Sequence, residues 1–406
     1  MPRVPILKDI VRLSLLERVS PDYLVRFLRL YQDYLGTKDV LLDDVEVNER
    51  WIGHLYGVLT ACDPAMPAGL QQALLDVAEL ASDDAHEQLL ELAGERQLSL
   101  FRTDDCQRLS PYDLAFKVYL EQRDLFGAAH ARALVREARR FVEFLAPRPG
   151  CLKGAISEGK RAILCSRLGR WFAERNCTSF CDVRIDERCG EVTFLVIHGR
   201  APRSTSIIQN ESERSRLSFV PDGQDTVIFD TATGRLSVEA RWPVEQDVYR
   251  RLVGEVFFDD GTHFATHELY SGEPLVEDGR EALSVSGIPG LVGVTLKKVE
   301  VHPPLDQSER FVWSGVDLGS KLGTEEARFV LAGRVVSYLK LSLALRGHPR
   351  QIPVEIRPPN KVTYDRRVGE VVVREFLLAR RFMRLPDVRC RRDNYHAAVP
   401  ALAEAP

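Results

Sequence analysis

The segment Ala146-Pro147-Arg148-Pro149-Gly150 places the strongest constraint on how this chain can fold. Two prolines and a glycine cannot continue a helix, so a helix that approaches this segment must end there. Apolar residues before it recur at helical spacing, whereas those after it form short β-prone runs. The sequence therefore predicts an α+β multidomain protein, with an all-helical N-terminal domain over 1–148 followed by a mixed region of mainly antiparallel hairpins. That region is predicted as lobes 149–275 and 276–394, or as one domain, with a mobile tail over 395–406.

Two Ser-Pro dipeptides mark helix starts in the first domain. Ser20-Pro21 and Ser110-Pro111 each place a capping hydroxyl before a proline at the first helical position, and an acidic residue follows in the first turn. Glycines at 36 and 127 are predicted to end these two helices. A third helix is predicted over 128–145.

Short β-prone runs alternate with helices in the second region. A hairpin is predicted from 181–185 and 191–198, where the intervening residues end in Cys189-Gly190, and a second from 226–229 and 235–240. Helices are predicted over 157–175 and 244–252. The final third is predicted to contain strands over 292–302, 327–332, 335–345 and 352–356, and a helix over 366–382.

Composition excludes several protein classes. The chain has 406 residues with 45% hydrophobic and 28% charged side chains, values typical of folded globular domains. Apolar runs fall short of the roughly 18 residues that a membrane span requires, and the N-terminal sequence lacks the pattern of a secretory signal. The eight cysteines are scattered, so reduced thiols are expected. A cytoplasmic protein without membrane contact is predicted.

Charge is distributed in opposed blocks. The net formal charge is -4, but residues 36–95 contain 13 acidic and 2 basic side chains. Residues 131–175 contain 11 basic and 4 acidic side chains, and residues 361–395 contain 10 and 5. The blocks predict two kinds of partner, a protein at the acidic helical domain and DNA or RNA at the basic faces.

Within the predicted helix over 128–145, four arginines share one face. At about 100° per residue, this face is opposite the apolar one. The candidate nucleic-acid-binding residues are Arg132, Arg136, Arg139 and Arg140, with Lys160 and Arg167 in the next helix. The alternative interpretation is a solvated face on which Glu143 pairs with the nearby arginines, and stems of Lys160 and Arg167 that cover apolar surface.

Three acidic residues suggest a second possibility, a metal-dependent nuclease. Pro221-Asp222, Asp225 and Glu239-Ala240-Arg241 are similar to the PD-(D/E)xK pattern, in which acids from adjacent strands bind a divalent metal. Arg241 occupies the position of the expected lysine and is a poor base. Whether Asp222, Asp225 and Glu239 form a metal site is left open by the sequence.

Two further motifs are incomplete. The run from Gly154 to Arg161 matches GxxxxGK, but an arginine follows where a P-loop has Ser or Thr, and a preceding buried strand is not expected. Cys177, Cys181, Cys189 and His198 are potential zinc ligands at a nonstandard spacing. We therefore predict no cofactor and no metal.

Parts of the second half resemble uncharacterised bacterial proteins encoded in anti-phage defence loci. The residues that prompt the comparison are 194–199, 225–236 and 356–360, with Phe376-Leu377 and Arg381-Phe382. The resemblance implies a subunit of a bacterial defence complex and carries over no functional residue.

Together these patterns predict a non-catalytic subunit that binds nucleic acid through basic faces and a protein through its acidic domain. A divalent-metal nuclease and a purely structural scaffold are the two alternatives.

Overall fold

The computed structural model describes residues 13–385, except 44, 62, 64, 99, 101–108, 148–155, 189, 211–212, 266–267 and 307. The predicted tail lies outside the described residues. The chain divides into two compact units, Met1–Val135 and Arg136–Pro406. No helix in the described part of the chain is both long and apolar enough to cross a membrane.

The first unit is helical, as predicted. Its helices are α1 (Leu13–Arg18), α2 (Pro21–Leu28), α3 (Gln32–Gly36), α4 (Glu49–Thr60), α5 (Ala68–Leu80), α6 (Asp83–Glu95), α7 (Pro111–Glu121) and α8 (Arg123–Glu137). Both helices begin at the predicted prolines, but only one of the two serines caps its helix through its side chain. The Ser110 hydroxyl accepts a hydrogen bond from the Asp113 amide at 3.0 Å, whereas the Ser20 side chain makes no capping bond to α2. The Asp113 carboxylate in turn accepts the amide of Ser20 at 2.6 Å and its hydroxyl at 2.8 Å. One carboxylate thereby joins the starts of α2 and α7.

The predicted helix over 128–145 is wrong. Gly127 lies inside α8 rather than after a helix, α8 ends at Glu137, and residues Arg140–Leu145 form strand β1. This strand pairs with neighbours on both sides, so its backbone groups are satisfied in a ladder and Phe141 and Phe144 are buried on opposite faces. These long-range contacts outweigh the local helical pattern. The boundary between the units therefore lies at 135/136, ahead of β1.

The second unit contains α9 (Glu158–Ala173), α10 (Pro243–Phe258), α11 (Glu273–Glu277), α12 (Glu325–Leu331) and α13 (Glu370–Ala379). Its strands after β1 are β2 (Cys181–Arg188), β3 (Glu191–Gly199), β4 (Arg203–Asn210), β5 (Glu213–Phe219), β6 (Asp222–Asp230), β7 (Arg235–Glu239), β8 (Leu291–His302), β9 (Phe311–Ser314), β10 (Val335–Leu345), β11 (Ile352–Arg357) and β12 (Lys361–Thr363).

Ten of these strands form one antiparallel sheet in the order β2-β3-β6-β7-β1-β12-β11-β10-β8-β9. The two predicted hairpins are confirmed. Because the sheet runs through both predicted lobes, 149–275 and 276–394 form one unit together with β1. The predicted strand over 327–332 is wrong, because the Thr324 hydroxyl caps α12 there and two acids follow in the first turn.

The sheet changes its covered face from one half to the other. In the half from β2 to β1, α9 and α10 pack on the face that carries Phe144, Phe194 and Phe229. In the half from β12 to β9, the opposite face is buried, and Leu339, Leu341 and Ile356 are fully inaccessible on it. The remaining face of that half is partly open to solvent, as one face of an antiparallel sheet can be: Arg357 and Lys361 on it are exposed, Lys298 and Lys340 are half-buried, and Tyr338 is buried.

Candidate functional site

The four predicted arginines do not lie on one helix. Arg132 is in α8 of the first unit and pairs with Glu95 at 2.9 Å, whereas Arg139 precedes β1 and Arg140 begins it. The Arg139 guanidinium pairs with Asp365 at 3.2 Å. The side chain of Arg136 lies outside the described residues. Because the helix ends at Glu137, the prediction that the four arginines share one helical face is wrong. Nucleic-acid binding by the individual side chains stays a prediction.

Glu143 does not pair with those arginines either. It is buried in β1, where its carboxylate accepts hydrogen bonds from Arg235 at 3.2 Å, Ser237 at 3.0 Å and Tyr270 at 2.8 Å. Burial and the Glu143 charge raise the pKa of Tyr270 well above its usual value. This closed cluster joins β1, β7 and the segment before α11, and it accounts for a buried charge in the middle of the sheet.

Lys160 and Arg167 both lie on α9 and contact apolar or acidic neighbours. The Lys160 ammonium is 5.8 Å from the centre of the Phe257 ring, and Arg167 pairs with Glu255 at 2.7 Å. The Lys160 contact is of the kind expected from the alternative interpretation, whereas Arg167 is engaged in an ion pair, and nucleic-acid binding by either side chain stays a prediction.

The three acids of the nuclease hypothesis do not converge. Thr226 pairs with Glu239 across β6 and β7, so Glu239 shares the face of Thr226, and Asp225 points to the opposite face. Glu239 accepts the backbone N–H groups of Arg139 and Arg140, each at 3.0 Å. Asp222 is exposed at the start of β6. The question left open by the sequence is therefore answered: these three acids do not form one metal site, and the described residues contain no group of three or more side chains suited to a metal ion.

The other two motifs give no site. Gly154 and Ala155 lie outside the described residues, and Gly159 to Arg161 form the first turn of α9, capped by Ser157. Cys177 and Cys181 are free thiols, and Cys189 lies outside the described residues.

A basic surface is instead assembled on the solvent face between β1 and β9. We call it the open face and define it by its five basic residues, one on each of five adjacent strands. They are Arg140 on β1, Lys361 on β12, Arg357 on β11, Lys340 on β10 and Lys298 on β8.

The strand register places these side chains on the same face. Arg140 is opposite Thr363, and Thr363 is opposite Glu355. Glu355 is opposite Lys340, which is opposite Lys298. Directly opposed residues share a face, and neighbouring strands are about 4.8 Å apart, so this row extends roughly 19 Å across the sheet.

Two acids and a tyrosine complete the open face. Glu355 pairs with Lys340 at 3.0 Å and Glu300 with Lys298 at 2.6 Å. Burial opposes ionisation of Glu355, but the hydrogen bond and attraction to Lys340 lower its pKa. Arg357 lies over the Tyr338 ring, with its guanidinium carbon 4.6 Å from the ring centre. Five cations against two anions leave this face positive.

A second polar cluster is buried beside β3. We call it the anchor cluster and define it as His198, Arg200, Asp225, Glu245 and Tyr249. Oδ2 of Asp225 lies 3.0 Å from Nε2 of His198 and 2.8 Å from the Tyr249 hydroxyl, and Oδ1 lies 3.2 Å from the Arg200 guanidinium. Arg200 also lies 3.5 Å from Glu245. Three donors from separate positions thus converge on one carboxylate that is 1% exposed.

The anchor cluster is built for rigidity rather than for acid–base chemistry. Nδ1 of His198 is 3.2 Å from the Gly199 carbonyl oxygen, and the ring stacks on Phe172 with the ring centres 3.8 Å apart. Burial and the Asp225 charge raise the pKa of Tyr249 well above its usual value. His198, Asp225 and Tyr249 are all buried, so a ligand could reach none of these three side chains without displacing the core.

The first unit contributes an acidic surface and a cleft. Most of its exposed acids lie between residues 39 and 95, and those in this range are Asp39, Asp43, Glu46, Glu49, Glu79, Asp83, Asp84, Glu87, Glu91 and Glu95. A cleft of about 540 Å³ is lined by Tyr34, Lys38, His54 and Asp63, among others. Lys38 pairs with Asp63 at 2.6 Å, and the Tyr34 hydroxyl donates to the same carboxylate at 3.0 Å.

No protein-family model matches this chain, and no curated protein is significantly similar to it.

Sequence reasoning missed both the open face and the anchor cluster. Lys298, Lys340 and Arg357 are separated by long stretches of chain, and only the strand register places them together. The alternation of apolar with polar or small residues in 352–357 and 339–345 was the available signal, because it distinguishes the more accessible face of a sheet from the buried one.

Proposed function

We propose that the protein is a non-catalytic subunit that binds nucleic acid through the open face and a protein partner through the acidic helical unit. The observation that carries the proposal is that five adjacent strands each place one basic side chain on the same sheet face, where Arg140, Arg357 and Lys361 are exposed. Phosphate contacts from such side chains supply most of the affinity for nucleic acid. Membership of a bacterial anti-phage defence complex is part of the proposal and rests on the sequence resemblance.

Two residues allow a direct test. Arg140 and Lys361 are exposed on the open face, and neither forms an ion pair within the described residues. The test variant is Arg140→Gln with Lys361→Gln. The matched control is Arg280→Gln with Arg328→Gln, since those arginines are exposed on other parts of the same unit.

Binding is measured by fluorescence anisotropy on duplex and single-stranded DNA and RNA of about 30 nucleotides, between 50 and 300 mM salt. Each lost phosphate contact reduces the slope of log K against log salt by about 0.9 on duplex DNA, so the double variant should lose about 1.8. The control should keep the slope of the intact protein. Absence of binding at 50 mM salt, or equal effects of test and control variants, would reject the proposal.

The partner half is tested by cross-linking and mass spectrometry on the complex isolated from the host. Cross-links of the co-purified protein should lie on the helical unit, and charge reversal at Asp83, Asp84 and Glu87 should release that protein while nucleic-acid affinity is retained. A phage-plating assay with the same variants tests the role in defence. A partner that stays bound to the charge-reversed protein contradicts the assignment.

A further inference from the structure

Strands β4 and β5 form a two-stranded ribbon that is separate from the ten-stranded sheet. We call it the arm and define it as residues 203–219. Every side chain of the arm that the structure describes is exposed, including Ile208 at 71%. An isolated two-stranded ribbon is marginally stable in water, so an exposed arm of this kind is expected to be held at its base and to meet a partner at its faces.

The base of the arm is held by the anchor cluster. The Arg200 amide donates to the Pro221 carbonyl oxygen at 2.7 Å, which closes the arm immediately outside its two strands. The Arg200 side chain then bonds to Asp225 at 3.2 Å, and through it to the buried His198 and Tyr249. The anchor cluster thereby fixes the direction in which the arm leaves the unit.

The two faces of the arm differ chemically. Ser204 is opposite Ser218, Ser206 is opposite Arg216, and Ile208 is opposite Arg214, so one face presents two guanidinium groups, three hydroxyl groups and the exposed Ile208 side chain. Arg203 is opposite Phe219, and Thr205 is opposite Leu217, so the other face is more apolar. The segment 203–219 contains three arginines and two glutamates, which leaves it with a charge of +1.

We infer that the arm inserts its Arg214–Arg216 face into the major groove of duplex DNA. This rests on the proposed function and specifies its ligand. The major groove is about 12 Å wide and admits a two-stranded ribbon, whose strands are about 4.8 Å apart. Arginine donates two hydrogen bonds to the O6 and N7 atoms of guanine, and serine hydroxyls bond to bases or phosphates. The charge and the donors on this face match the two acceptors that guanine presents in the major groove, and Ile208 can contact a thymine methyl group there.

The test compares two faces of the same arm. The variant Arg214→Gln with Arg216→Gln removes the proposed groove contacts, and Arg203→Gln on the opposite face is the matched control. All three residues are exposed, so the substitutions leave the core intact. The probes are a 30-base-pair duplex with G·C pairs, the corresponding single strand, and the same duplex with bulky substituents at C5 of its cytosines, which fill the major groove.

The double variant should bind the plain duplex at least tenfold more weakly, because each bidentate arginine contact contributes about 5- to 150-fold. Its affinity for the single strand should change less than threefold, and Arg203→Gln should change neither. The intact protein should bind the substituted duplex at least tenfold more weakly than the plain one, and the double variant should lose no further affinity for it.

Three results would overturn the inference. The first is that Arg214→Gln with Arg216→Gln leaves the affinity for duplex DNA unchanged, while Arg140→Gln with Lys361→Gln weakens it. This result would reject the role of the arm but leave the proposed function intact. The second is an equal loss on single strand and duplex. The third is that the variant Leu217→Ser with Phe219→Ser loses a bound protein, while substitutions on either face of the arm leave the affinity for duplex DNA unchanged. This result would make the arm a protein-docking element. Absence of all nucleic-acid binding at 50 mM salt rejects the proposed function itself.

Discussion

Replacement of Asp225 by asparagine is the most direct test of the anchor cluster. The carboxylate receives three donors: His198 and Tyr249 at Oδ2, and Arg200 at Oδ1. An amide has one oxygen and one NH₂ group, so in either orientation an NH₂ group faces a donor. The change also removes the negative charge that the Arg200 guanidinium pairs with.

The expected loss in the free energy of unfolding is about 3 kcal/mol. Breaking a buried ion pair typically costs about 3–5 kcal/mol. The lower end applies here because Arg200 is 19% exposed and keeps Glu245 at 3.5 Å as a second partner. With a urea m-value of about 3 kcal/mol/M, the unfolding midpoint of the second unit should fall by about 1 M.

The assay is urea unfolding followed by tryptophan fluorescence, with hydrogen exchange of 203–219 as a second measurement. Trp171 precedes the Phe172 ring that stacks on His198, and so it lies beside the cluster. The control is Asp222→Asn, an exposed carboxylate on the same strand, which should change the stability by less than about 0.5 kcal/mol. Equal midpoints for the two variants, or unchanged exchange in the arm of Asp225→Asn, would refute the role of the anchor cluster.

Three further predictions concern single groups. Burial and the neighbouring Cys165 raise the pKa of Cys181 from 9.0 to about 12. Iodoacetamide at pH 8 should therefore alkylate Cys181 roughly 1000-fold more slowly in the folded protein than in urea, because less of the thiol is ionised. Mass spectrometry measures the two alkylation rates, and similar rates would contradict the prediction. The hydrogen bond from Lys38 lowers the pKa of Asp63 from 3.8 to about 2, so this carboxylate stabilises the helical unit above pH 4 and the stabilisation is lost as the pH falls toward 2. Hydrogen exchange of α3 and α4 between pH 2 and pH 4.5 should show this pH dependence in the intact protein but not in Lys38→Met, and the same dependence in both contradicts it. A β-carbon at Gly223 would lie 2.8 Å from Cζ of Arg200, so Gly223→Ala should cost about 1–3 kcal/mol in urea unfolding and much less in an Arg200→Ala background; equal costs in the two backgrounds would exclude this clash as the cause.

Local sequence patterns correctly predicted the helices and strands whose conformation depends mainly on residues close by in the chain. The Ser-Pro starts at 20 and 110, the helix capped by Ser157, and the hairpins between 181 and 240 all follow from capping, turn and alternation rules. The errors occurred where local signals conflict, or where pairing with a strand far away in the sequence determines the secondary structure. Residues 140–145 have a helical pattern but complete a sheet between β7 and β12, and residues 327–332 look like a strand but follow the Thr324 cap.

The sequence by itself determined that a helical, acidic N-terminal part is followed by an antiparallel α+β part, because spacing, caps and charge are local properties. Only the tertiary structure decided which charges share a surface. It placed Arg132 in a helix and Arg140 in a strand, and it buried Glu143 and Asp225 among donors. It also brought Lys298, Lys340, Arg357 and Lys361 to the sheet face of Arg140. The physical reason is that strand register and burial depend on pairing between residues far apart in the chain, and these pairings set both the position and the exposure of each charge.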